Sequence, residues 1–413
     1  MRNRFGKLAV VAGALAAAVV TAAAVPAGAA PIPNTGPTIL TCGVTVGVCQ
    51  HSLAAAGSDT SYWMMQNISP QYNVNTTKNV NTDFVTQIPP VNSAPFPAGA
   101  YVPEDSVAPA YTWTSLTTVN GPCGGGSTPP NGSSAGISCL LADKTGQVDF
   151  ARSSRGRKST DPANLEFWAY AIGAVDWVKF AGSHAPASLT PTQLKDIMTC
   201  HVTTGTVDGH TGAAGTPIIA NWIDAGGTSG VIHKYAPQTS SGTYSFTNSN
   251  VLNGNTIDTG CVGAANLTTF LEEHDARGVS LANKAGAIYF FDYGRWTAQS
   301  KQFEADLRNG ATLGAINGTT PSPATVNPAG TFIDSRWIYN VVRTDSHPSS
   351  YTTQTQDVKN LVGVTAPSTI GYICSGAAAQ AITLAGFVPI ASGPTLGAGN
   401  PASTCRFEPP AIP

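Results

Sequence analysis

Three short segments gather hydroxyl side chains and glycine where the chain turns. They are residues 57–61 (Gly-Ser-Asp-Thr-Ser), 153–155 (Ser-Ser-Arg) and 239–243 (Thr-Ser-Ser-Gly-Thr). Each lies at a strand-to-helix turn or in a polar turn after a strand-like run. A helix N-terminus leaves four backbone N–H groups unpaired and carries about half a positive charge. Small hydroxyl residues there let an anion approach the backbone and add donors of their own. Three such segments converging would make a cage for an oxyanion. Singly, each is also an ordinary cap or turn, so the reading rests on the three together.

Other chemistry is weakly represented. Residues 132–136 (Gly-Ser-Ser-Ala-Gly) match the nucleophile pattern G-x-S-x-G, which needs a strand before it and a helix after it. Here the pattern falls in a Gly/Ser/Pro-rich loop between Cys123 and Cys139, so a serine-hydrolase role is not expected. The seven histidines show no H-E-x-x-H spacing, and His201 and His210 are too far apart for one helical face. No G-x-x-x-x-G-K-[ST] loop occurs, which excludes nucleotide hydrolysis of that type. No motif implies a cofactor, and the chain reads as a binder rather than an enzyme.

The elements that position these segments are short. A helix is expected over 62–68, with Asp59 or Thr60 as its cap. A strand is expected over 147–150, and the apolar run 167–180 reads as a buried strand pair. Thr190 and Pro191 open a helix through Met198. Further strands are expected at 217–222, 231–236, 287–291, 337–342 and 387–390, and helices from Tyr244, over 296–307 and over 375–385. Residues 317–330 look like a linker. Short strands alternating with helices predict a mostly parallel α/β sheet.

Composition sets the compartment and the size. Arg2, Arg4 and Lys7 precede an Ala/Val-rich run that ends at Pro26 and Ala27-Gly28-Ala29, which reads as a cleaved signal peptide over residues 1–30. About 380 residues then remain, enough for two lobes. No cysteine stands at the cleavage point and no apolar tail follows Glu408, so a soluble, exported protein is expected. Hydrophobic residues make up 42% and charged residues 11%, with net charge −2. A nucleic-acid or anionic-membrane partner would need a basic footprint. A small anion would not, since backbone dipoles and hydroxyls can hold it. The eight cysteines imply disulfides in an exported chain. Local closure favours Cys42 with Cys49 and Cys123 with Cys139, leaving Cys200, Cys261, Cys374 and Cys405, but spacing does not fix the pairing. No C-x-x-C occurs, so metal binding by cysteine is not expected.

The sequence resembles the phosphate-type substrate-binding proteins of ABC importers, over residues 50–390. The resemblance is carried by G-S-D-T-S-Y (57–62), V-D-F-A-R-S-S-R (148–155), P-Q-T-S-S-G-T (237–243), E-H-D (273–275) and I-C-S-G-A-A-A-Q with G-F-V-P-I (373–390). It implies an α/β, two-lobed type 2 periplasmic-binding-protein-like fold with a hinge and a central ligand cleft. The implied lobes are residues 31–173 with 331–413, and residues 174–330, with crossings near 168–174 and 332–337. Residue by residue, it implies that Thr60 and Ser61 donate to the ligand and that Ser241, Gly242 and Thr243 are the family's S-G-T donors. Ser154 stands where the family usually has an Asp that accepts the proton of hydrogen phosphate and helps exclude sulfate. Pro237 stands where the family has an Arg. Arg155 or Arg152 would then supply the positive charge, and Asp59 or Asp275 the acceptor. His274 and Asp275 read either as a pair tying down a loop or as groups at the cleft rim. The implied partners are inorganic phosphate or a similar anion and an ABC permease, with the protein a secreted or surface-associated monomer. The alternatives are a scaffold of the same fold that no longer transports, and a binder of another small anion.

Overall fold

The computed structural model describes residues 53–65, 68, 80–81, 130–142, 148–257, 261, 267–327, 331–344, 358, 361–362, 371–390 and 405–407. All belong to one compact unit, Asn34–Pro413. The expected signal peptide, Cys42, Cys49 and Cys123 lie outside the described residues.

The described strands, in chain order, begin with β1 (Leu53–Gly57), β2 (Val80–Asn81), β3 (Phe150–Ser153), β4 (Leu165–Lys179) and β5 (Ser188–Leu189). They continue with β6 (Gly205–Val207), β7 (His210–Gly212), β8 (His233–Pro237), β9 (Leu267–Leu271) and β10 (Ala287–Asp292). The last are β11 (Thr312–Leu313), β12 (Ala315–Ile316), β13 (Ser335–Arg343), β14 (Val388–Pro389) and β15 (Arg406–Phe407). The described α-helices include α1 (Ser133–Ala142), α2 (Pro191–Met198), α3 (Gly242–Phe246), α4 (Tyr293–Ser300) and α5 (Gly376–Leu384).

The main sheet runs β2-β1-β3-β13-β4-β10-β8-β9, with β11, β14 and β15 also on β4. β1 pairs in parallel with β2 and β3, and β8 in parallel with β9 and β10. β13 is antiparallel to both β3 and β4, and β10 is antiparallel to β4. The sheet is therefore mixed, with parallel ends joined by antiparallel strands, and not mostly parallel. β4 explains why. Its first part, to Ala174, pairs with β13, and with β14 and β15 at Trp168–Ile172. From Val175 its partners are β10 and β11. One strand thus serves two different sets of neighbours.

The expected strand pair over 167–180 is this single long strand. No turn residue interrupts it. Gly173 stays extended, and a Cβ there would press on the Phe387 ring. Nearly every β4 residue is buried, as befits a strand covered on both faces. β10 is buried throughout. One core cluster joins Ala56, Ile137 and Phe167 with Trp177, Trp222 and Phe290. A second lies around Trp63, Phe150, Tyr170 and Phe387. A third lies around Val178, Tyr235, Tyr289 and Phe291.

Local chemistry sets the remaining boundaries. Thr190 caps α2 in a reciprocal capping box with Gln193, and Pro191 fills the first turn. The expected strand over 217–222 is reduced to isolated bridges at Pro217 and Asn221, because Asn221 accepts from Ile223 N and starts a 3-10 turn. The helix expected over 296–307 begins earlier. Asp292 caps it by accepting from Arg295 N, and the chain turns away at Gln302, whose φ is 60°. The linker-like segment packs: Val326 is fully buried. Residues 133–137 belong to a helix and not to a loop. Disulfides join Cys200 to Cys261 and Cys374 to Cys405. Cys139 is also disulfide-bonded. Among the described residues no helix is long and apolar enough to cross a membrane.

Candidate functional site

β1 and β9 lie far apart in the strand order, yet the turns that follow them meet. Thr60, after β1, donates through Oγ1 to Glu273 Oε1, after β9, at 2.5 Å. Thr243, in the first turn of α3, donates to the same oxygen at 3.0 Å and stands 3.4 Å from Thr60 Oγ1. All three residues are fully buried. Glu273 Oε2 has no hydrogen-bond partner among the described residues.

A cation completes this group. Arg336, near the start of β13, donates from Nη2 to Thr243 Oγ1 at 2.9 Å and to Asp292 Oδ2 at 2.7 Å. Its Nη1 donates to Ser154 O at 3.1 Å. The guanidinium thus joins two of the three hydroxyl-rich segments. Asp292 is fully buried, and burial pushes its carboxyl up while Arg336 pulls it back down.

The second segment meets the first beside α1. Ser58 Oγ donates to Ser154 Oγ at 3.0 Å, Ser133 Oγ lies 3.3 Å from Ser154 Oγ, and Ser154 N donates to Ser133 Oγ at 2.9 Å. Close backbone packing allows this. A Cβ on Gly136 of α1 would collide with Gly57 Cα, and one on Gly242 would collide with the hydroxyls of Ser154 and Ser133.

The candidates named from the sequence therefore divide. Thr60, Ser154, Gly242 and Thr243 come together. Ser241 caps α3, its Oγ accepting from Tyr244 N at 2.9 Å. Ser61 donates to Ser58 O at 3.5 Å. Arg155 is held bidentately by Asp161, at 2.7 and 3.0 Å, and also reaches Ser134 and Gly156 O. Arg152 donates to Gly57 O and lies over the Tyr62 ring. Neither supplies the positive charge beside Thr243, which comes from Arg336. Asp275 is gripped by Arg277. Asp59 lies next to His274, with Oδ2 3.6 Å from Nδ1.

Sequence reading does not reach Ser58, Ser133, Glu273, Asp292 and Arg336 as site residues. Signals exist for four of them: Ser58 lies in the hydroxyl-rich run 57–61 and Glu273 in the E-H-D run. Ser133 belongs to the G-x-S-x-G run, which reads as a loop. Arg336 is a charge at the entry to an apolar strand.

A family model described as the PBP superfamily domain matches residues 121–356. The chain belongs to the PBP superfamily. No curated protein matches the sequence. Among solved structures, a Clostridium perfringens protein assigned as a phosphate ABC transporter substrate-binding protein, with phosphate bound, is 14% identical. The match covers 82% of this chain and 99% of that one, with a TM-score of 0.51. An ABC-type phosphate transport receptor from Vibrio cholerae is 16% identical over 81% of this chain and 99% of its own, with a TM-score of 0.48. The fold is accordingly the two-lobed α/β fold of this superfamily, as the resemblance implied.

Proposed function

We propose that this PBP-superfamily chain is an exported solute-binding protein. It takes up phosphate, or a closely related oxyanion, among the turns after β1 and β3 and the start of α3, and delivers it to an ABC permease. The supporting observation is the chemistry around Glu273. An anion entering there meets the hydroxyls of Thr60 and Thr243, the Arg336 guanidinium and the serine group of Ser58, Ser133 and Ser154. It also meets Glu273 Oε2, an acceptor that uses no described protein donor. A fully ionised oxyanion would face that oxygen as a repulsion. A hydrogen phosphate can donate its P–OH to it.

Glu273 then takes the role that the resemblance gives to an Asp at the position of Ser154. Arg336 takes the role it gives to an Arg at the position of Pro237. The Clostridium perfringens protein of the same fold holds phosphate. The proposed lobes are residues 31–173 with 331–413, and residues 174–330. The change of β4 partners between Ala174 and Val175 supports that division. Hinge closure would bury the anion. The chain acts as a binder and not as an enzyme, as a monomer outside the membrane.

A second reading is a secreted or surface scaffold of the same fold that no longer transports. It is favoured by the donors' mutual bonds, since Thr60 and Thr243 already serve Glu273, and Ser58 serves Ser154.

Calorimetric titration of phosphate into the purified, oxidised protein and its Thr243→Val variant separates the two. The parent binds phosphate. The variant keeps its shape, loses hydrogen bonds to two charged partners, and binds about 10–100-fold more weakly. Equal affinity in the two proteins would remove Thr243 from the site, and no binding in either would favour the scaffold.

A further inference from the structure

The turn after β1 and the chain after β9 meet a second time, one residue from the Thr60–Glu273 contact. Asp59, Glu272 and His274 each offer one donor atom there, and these atoms lie within 4.8 Å of one another. Asp59 is 4% exposed and His274 is 2% exposed. His274 Nδ1 stands 3.6 Å from Asp59 Oδ2. That is too long for a hydrogen bond between them. It suits two ligands of one ion, since metal–ligand bonds of about 2.0–2.2 Å leave neighbouring donors about 3–4 Å apart.

The surroundings agree in two ways. The nearby cations are themselves engaged by carboxylates, Arg277 by Asp275 and Arg295 by Glu304. The ligand residues are also anchored. Asn131 Nδ2 and Gln238 Nε2 donate to the Glu272 carboxylate, at 2.9 and 3.4 Å. Gln299 Nε2 donates to His274 O at 2.8 Å, and Arg295 Nη1 to Asp59 O at 2.7 Å. Such outer contacts fix ligand orientation.

Carboxylates are crowded here, with Glu273 and Asp275 adjoining the candidate ligands in sequence. The buried Tyr289 hydroxyl donates to Glu272 O. Glu273, between two of the candidate ligands in sequence, is fully buried with Oε2 unpartnered among the described residues. Buried carboxylates are costly unless paired or coordinated to a metal.

We propose that Asp59, Glu272 and His274 form a binding site for a first-row divalent cation such as zinc, clasping the turn after β1 to the chain after β9. Two carboxylate oxygens with one imidazole nitrogen favour zinc or manganese over calcium and magnesium, which prefer all-oxygen sets. The three residues adjoin the proposed anion donors in sequence but are not among them, so the metal site does not depend on phosphate being the ligand.

The test is calorimetric zinc titration of the chelator-treated, oxidised protein in phosphate-free buffer, with calcium as comparison and thermal unfolding as a second readout. The expected result is about one zinc equivalent per chain, a raised Tm, and weaker calcium binding. His274→Ala and the near-isosteric Glu272→Gln should each weaken zinc at least about tenfold. His210→Ala, half-buried on the hairpin of β6 and β7, should not. If His274→Ala fails to fold, Glu272→Gln carries the same reading. No zinc binding by the parent, zinc bound as tightly by both Glu272→Gln and His274→Ala, or loss of binding in His210→Ala alone would overturn the proposal. A parent that binds zinc but not phosphate would leave the metal site standing and count only against the oxyanion reading.

Discussion

Thr243 shows how much one hydroxyl carries. Its Oγ1 accepts from Arg336 and donates to Glu273. Replacing it by valine leaves Arg336 with Asp292 and Glu273 with Thr60. The Thr243→Val protein is therefore expected to fold, losing about 1–3 kcal/mol of stability while its phosphate affinity falls by about 10–100-fold. Urea unfolding beside calorimetry checks this, and a variant that unfolds outright would show Thr243 to be structural only. At this scale the sequence is partly legible. Gly242 and Thr243 can be named because S-G-T is a compact local signal, and the same holds for Thr60. Arg336 and Glu273 cannot, because their importance comes from long-range contacts. Arg336 is 93 residues from Thr243, and Glu273 is 213 from Thr60. In the E-H-D run the local pattern points to His274 and Asp275, whereas the carboxylate that takes the two threonine hydroxyls is Glu273. Arg155 looks available because a basic residue in a polar turn does not reveal its own partner, Asp161, six residues on.

At the scale of elements, backbone contact between α1 and β1 holds the serine group together. Gly136 lies so close to Gly57 that a methyl group has no room. Gly136→Ala should force α1 away from β1 and cost about 1–3 kcal/mol, although alanine favours helix intrinsically. In urea this appears as a lower midpoint with an unchanged slope. An equal or higher midpoint would show that α1 shifts without penalty. The sequence displays the glycines but not their function. A G-x-S-x-G run in a Gly/Ser/Pro-rich stretch reads as a loop until β1 is seen beside it. Capping chemistry is more legible. Thr190-Pro191 marks the start of α2 where the structure has it, since the cap and the proline act within one turn. The start of α4 is hidden because Asp292, its cap, is also the last residue of a fully buried strand, so strand passes into helix with no loop between them.

For the whole molecule, the informative place is where β4 changes partners. Asp176 of β4 is fully buried, and Asp334, just before β13, is 3% exposed. Burial pushes Asp334 up to about 7. Burial also raises Asp176 well above its usual range, and Asp334 raises it further. The folded protein therefore holds a proton on Asp334 through a range in which the unfolded chain has released it. The stabilisation is fully present below about pH 4 and is lost as pH rises toward about 7. Each tenfold difference in proton affinity between the folded and unfolded chain is worth about 1.4 kcal/mol. Asp334→Asn should be more stable than the parent at pH 8, with the gain shrinking toward pH 4. Thermal unfolding across that range measures it, and a gain independent of pH would contradict the assignment. The two-lobed fold is legible from the order of motifs along the chain. The mixed sheet is not, because a fifteen-residue apolar run gives no sign that its two parts face different neighbours.

The proposed site holds a protonated oxyanion between Arg336 and the Glu273 carboxylate. Calorimetric titration of the parent protein with phosphate and, separately, with sulfate at the same pH and ionic strength tests this. Phosphate should bind tightly and sulfate at least about 100-fold more weakly, since sulfate has no proton to give the buried acceptor. Equal binding of the two anions, or none of phosphate by the folded protein, would contradict it.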